Sequence, residues 1–159
     1  MDNKGSATGH VAAPADVVFG MVTDLDRLPT WNRRITRVVD APPKLVAGAE
    51  WVVEIRLMGK TFNSRSKVLR IDERARRFVH RSKPDDDNPS STVWTWEVAP
   101  EGDGSRVTVT WDLQPRTTSR RLFAAPLRAV QIPRRDIPAS LAGLAAACEA
   151  QVSGRGRHS

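Results

Sequence analysis

Tyrosine is missing from this 159-residue sequence, cysteine occurs once and histidine three times. A lone Cys148 excludes an internal disulfide, and three scattered histidines with one thiol match none of the ligand spacings of a zinc site, so no metal is expected. Long apolar runs are missing as well. No stretch approaches the roughly 18 residues that a membrane-spanning helix needs, and the polar opening MDNKGSATG lacks the basic and apolar regions of a secretion signal. The expectation is a cytoplasmic protein in a reducing compartment. With no Walker loop, GxSxG elbow or dinucleotide fingerprint, no cofactor is implied.

Positive charge, in contrast, is plentiful: the formal net charge is +7, and twenty of the 25 basic residues are arginine. They fall in scattered pairs (Arg33 and Arg34, Arg76 and Arg77, Arg120 and Arg121, Arg134 and Arg135) rather than in one stripe, and no helix-turn-helix, zinc-finger or RNA-recognition motif accompanies them. No specific nucleic-acid partner follows. The excess reads first as a compositional habit, with transient contact with an anionic membrane surface as the alternative.

The hydrophobic pattern divides the chain. Residues 1–7 and the basic tail 153–159 lack apolar periodicity and are expected to be mobile; residues 8–152 read as one domain. Gly9 to Ala13 is a short first strand. Pro14 and Asp16 then open a helix carrying Val17, Val18, Met21, Val22 and Leu25 on one face, and a second short helical piece, Asp24 to Trp31, contains Pro29. From about Arg34 the period changes to two, giving six strands. Trp51, Val53 and Ile55 point one way, as do Phe62, Ser64, Ser66 and Val68; Phe78, His80 and Ser82; Trp94, Trp96 and Val98; and Val107, Val109, Trp111 and Leu113. Glu54 and Glu97 point the other way. At the end, Leu141, Leu144, Ala145, Cys148 and Val152 form a helical stripe, with Asp136 as its cap and Pro138 in the first turn; a long kinked helix from near Ser119 is the rival reading. An antiparallel sheet with a single apolar face must bury it against that helix.

The segment AAPADVVFGMVTDLDRLPTWN, the strands VWTWEVAP and VTVTWDLQP, and the terminal helix together resemble the START-related (SRPBCC) superfamily, in its bacterial polyketide cyclase/dehydrase and lipid-transport branch. The resemblance implies an α+β helix-grip fold: a curved seven-stranded antiparallel sheet wrapped around a long C-terminal helix, two short helices after the first strand, and an apolar cavity between sheet and helix. Aromatase/cyclases of this group use a pocket arginine and hydroxyl side chains. The stretch KTFNSRSK is similar to the corresponding strand, with Phe62 in a pocket-aromatic place and Ser64 in a serine place. Ser66 stands where the inward arginine is expected, and Arg65 has the opposite parity unless a bulge re-aims it.

Candidate ligand-binding residues are therefore Trp31, Trp51, Phe62, Ser64, Ser66, His80, Trp94, Trp96 and Trp111. The indoles offer large apolar surfaces with one donor each, and the hydroxyls offer orientation. His80 is the candidate catalytic acid or base, being the only histidine away from the termini. Cys148 reads as a small buried hydrophobe, and Asp85 to Asp87 as a solvated turn with a weak cation site as the alternative. The leading expectation is a carrier or sequestering protein for a lipid, polyketide or other aromatic metabolite. A polyketide cyclase/dehydrase is the alternative, and a basic module docking to membrane or polyanion the third.

Overall fold

The computed structural model describes residues 3–57, 59–85, 90–116 and 136–156. Seven strands, β1 (Lys4–Val11), β2 (Ile35–Asp40), β3 (Glu50–Leu57), β4 (Lys60–Asp72), β5 (Arg77–Pro84), β6 (Ser91–Glu101) and β7 (Gly104–Gln114), form one antiparallel sheet in the order β1-β7-β6-β5-β4-β3-β2. Between β1 and β2 run α1 (Ala15–Val22), a 3-10 turn over Leu25–Arg27 and α2 (Leu28–Trp31), and a 20-residue helix, α3 (Ile137–Gly156), closes the fold. This is the helix-grip arrangement. Pro138 lies in the first turn of α3, where its missing N–H has no intrahelical acceptor to satisfy. The rival helix start near Ser119 and the acidic positions 86 and 87 lie outside the described residues.

The alternation of the strands sets the faces. Cross-strand rows carry Trp51, Ser66, Ser82, Thr92 and Leu113 in one line, and Val68, His80, Trp94, Trp111 and Gly5 in the next. All these residues face the helices. On the convex face, Arg37 meets Glu54, Arg77 meets Glu97 and Arg65 meets Asp85, so many of the dispersed arginines have carboxylate partners across the sheet. Such exposed pairs contribute about 0–1 kcal/mol each.

Part of each expected tail belongs to a regular element. Residues 4–7 belong to β1, paired from Lys4 opposite Asp112 onward, so the strand begins well before Gly9 and ends before Ala12. Its inward residues are Gly5, Ala7, Gly9 and Val11, and because the first three are small no apolar alternation marks it. A side chain at Gly5 would run into the Trp111 indole, and one at Gly9 would press on Leu141 of α3 at 3.3 Å. At the other end, residues 153–156 continue α3 instead of forming a tail.

The helix grips one side of the sheet. Leu144 and Cys148 are fully buried, and burial pushes the Cys148 thiol up to about 11, so it is an inert buried group. Gly143 lies directly against the Trp31 carbonyl oxygen, with no room for a Cβ. Alanine inside a helix ordinarily stabilises relative to glycine by up to about 1 kcal/mol. Gly143→Ala is nevertheless expected to destabilise by about 1–3 kcal/mol, because the obstacle is backbone that cannot rotate away. Urea denaturation checks this; an unchanged or higher midpoint would show that α2 and α3 can separate without cost.

Candidate functional site

Among the described residues α3 packs on β1, α1 and α2, and the apolar face of the middle strands looks into the space beneath α2 and the first turn of α3. A cavity of about 520 Å³ lies there, within the span of roughly 300–1,000 Å³ typical of small-molecule sites. Trp31 and Trp96 meet edge to face with ring centroids 5.6 Å apart. Trp51 stacks on Phe78 at 5.9 Å, and His80 lies 5.1 Å from each of them. Trp94, Phe62, Ile55 and Leu113 complete much of the apolar wall, with Phe62 partly exposed at the rim.

Eight of the nine residues expected from sequence, Trp31, Trp51, Phe62, Ser64, Ser66, His80, Trp94 and Trp96, line this cavity. Trp111 does not. It is buried in the core beside β1, where the missing side chain of Gly5 leaves room for its indole to lie across the neighbouring strand. The serines differ in their freedom. Ser64 Oγ donates to the Lys83 carbonyl at 3.2 Å, Ser82 Oγ accepts from Trp94 Nε1 at 3.0 Å, and Ser66 has no partner among the described residues. Ser82 keeps its own hydroxyl proton for a guest.

His80 is a neutral group here. Its Nδ1 is buried without a hydrogen-bond partner, and burial alone lowers its pKa from 6.5 to about 3. The imidazole packs against Trp51 and Phe78, and no charged partner offsets the loss of hydration that a proton there would cost. The expected catalytic acid is therefore deprotonated at neutral pH. Arg65, the other candidate for cyclase-like chemistry, points outward and donates to Asp85 at 3.0 Å; the irregularity in β4 falls later, between Val68 and Arg70, and does not re-aim it.

An arginine reaches the cavity from elsewhere. Arg34, just before β2, donates from Nε and Nη2 to the same Asp136 carboxylate oxygen, at 2.8 and 2.6 Å, and both residues line the cavity. The pair joins the chain leaving α2 to the start of α3. Nothing local in the sequence distinguishes Arg34 from Arg33, and its partner is 102 positions away; only the expected cap role of Asp136 hinted at this place.

The family model described as polyketide cyclase/dehydrase and lipid transport matches residues 4–149. Among solved structures, the Zhui aromatase/cyclase from Streptomyces sp. R1128 superposes with a TM-score of 0.74 at 17% identity, covering 94% of each chain. A START superfamily protein from Mycobacterium smegmatis gives 0.69 at 17% identity over 93% of this chain and 98% of the other. The protein TTHA0849 from Thermus thermophilus gives 0.71 at 20% identity, over 93% and 98%. At such identities the likeness is one of fold. No curated protein matches the sequence.

Proposed function

Because the chain belongs to the polyketide cyclase/dehydrase and lipid transport family, we propose that it holds a hydrophobic small molecule, a lipid, a polyketide or another aromatic metabolite, in the cavity and carries or sequesters it. The observation that supports this reading is the wall itself: aromatic rings and aliphatic side chains supply most of the surface around about 520 Å³, with polar side chains such as Arg34, Ser66 and Ser82 among them to orient a guest. The walls suit binding better than proton transfer. A cyclase reading needs an acid to protonate a carbonyl at neutral pH, whereas His80, with its pKa lowered to about 3, carries no proton to give as an imidazolium. No tyrosine is present to replace it.

The test is a titration with the neutral probe N-phenyl-1-naphthylamine, followed by displacement with fatty acids, sterols and polyphenols. Saturable probe emission excited through the indoles, displaced by at least one class, is expected, with Kd in the micromolar range. Product analysis after incubation with a poly-β-ketone mimic, using wild type and His80→Gln in parallel, separates carriage from catalysis. The carrier reading expects no conversion by either; product from wild type alone would restore His80 as a catalyst, and a flat titration would remove the binding reading.

A further inference from the structure

Resting on the cavity-binding reading above, we infer that the ligand's polar group is an uncharged oxygen, a ketone or similar carbonyl, and that the Arg34–Asp136 pair recognises it. Arg34 uses Nε and Nη2 on one carboxylate oxygen, and its Nη1 has no partner among the described residues. A guanidinium carries five N–H donors in a fixed plane. Unused donors therefore remain on a group that lines the cavity and is only one-fifth exposed.

The charge of that donor is already cancelled. Asp136, with 6% of its side chain exposed, sits against it at 2.6 Å. Among the described residues the other charged members of the lining are turned away: Lys83 stands opposite the outward Arg65 in the pairing of β4 with β5, and Asp85 is held by Arg65. A carboxylate guest at Arg34 would give up its hydration and meet a guanidinium already paired with Asp136. A carbonyl gives up far less and still accepts a hydrogen bond from an ionised donor, which is stronger than one from a neutral group. The wall thus selects against ionised ligands while rewarding a neutral oxygen near α2 and the start of α3.

The experiment compares naphthalene, 2-acetylnaphthalene and 2-naphthoate at pH 7.5 by calorimetry, in wild type, Arg34→Gln and Asp136→Asn. Wild type is expected to favour the ketone over the hydrocarbon by about tenfold, the usual size of one charge-assisted hydrogen bond, and to bind the naphthoate more weakly than the ketone. In Arg34→Gln the ketone-to-hydrocarbon ratio should fall to near one. In Asp136→Asn, where the guanidinium loses its counter-charge, the naphthoate should gain about tenfold relative to the ketone. If Asp136→Asn does not fold, the ratio in Arg34→Gln decides alone. A wild-type preference for naphthoate, or a ketone-to-hydrocarbon ratio untouched in Arg34→Gln, overturns the inference while leaving cavity binding intact. Failure of naphthalene and its ketone alike to bind overturns both.

Discussion

Lowering the pH from 6.5 towards 5 is expected to destabilise the protein by as much as about 1.4 kcal/mol per unit, and replacing His80 by phenylalanine should flatten that slope. In the unfolded chain His80 takes up a proton near pH 6.5; in the folded chain burial holds its pKa down at about 3. Between those values the unfolded state binds a proton that the folded state refuses. Stability is therefore full above pH 6.5 and declines as the pH falls through this window. Glu54, whose carboxylate is held below 4.5 by hydrogen bonds from Thr36 and Arg37, adds to the acid loss at lower pH. Most carboxylates remain ionised from pH 6.5 to 5, and the comparison with His80→Phe isolates this imidazole. Urea unfolding of both proteins at pH 5, 6 and 7.5 reads the difference; an equal slope in His80→Phe would mean that His80 is solvated and free to titrate.

Trp96→Ala is the second large effect. The indole is nearly buried, meets Trp31 edge to face and stands opposite Phe78 and Val109 in its cross-strand row. Removing it should cost about 3–5 kcal/mol, towards the lower end because the vacated volume opens into a cavity that solvent can already enter. The same truncation removes a wall of the site. Affinity for N-phenyl-1-naphthylamine, measured well below the new unfolding midpoint, is expected to fall at least tenfold. Trp111→Phe serves as contrast, since that residue is buried outside the cavity; equal losses of affinity in both would indicate a general loosening rather than a lost ligand surface.

The legibility of the sequence follows the range of the forces involved. In β3 to β7 a period of two with one apolar side was enough to sort inward from outward residues, because a residue and its second neighbour share a face whatever the rest of the chain does. That local rule placed Trp51, Ser66, His80, Trp94 and Trp96 on the cavity wall. It put Trp111 on the inner face but not at its place beside Gly5 and away from the cavity, and it missed most of β1, where Gly5 makes way for Trp111 and Gly9 for Leu141 of α3. It was silent about Arg34. A salt bridge between residues 102 positions apart has no signature in either neighbourhood. His80 was found by parity, but its protonation state was set by what packs around it.

The pairing of β1 with β7 also bears on how the protein is made. β2 to β7 form a meander in which each strand meets the next one synthesised, so this part can zip up from hairpins of short separation. β1 leaves the ribosome first, yet its partner begins only at Gly104. During synthesis the first strand and its helical arm must therefore wait for nearly the whole sheet, and β7 keeps a bare edge until they dock. The first of the seven strands is thus the last that can be paired, at a junction where Gly5 makes room for Trp111.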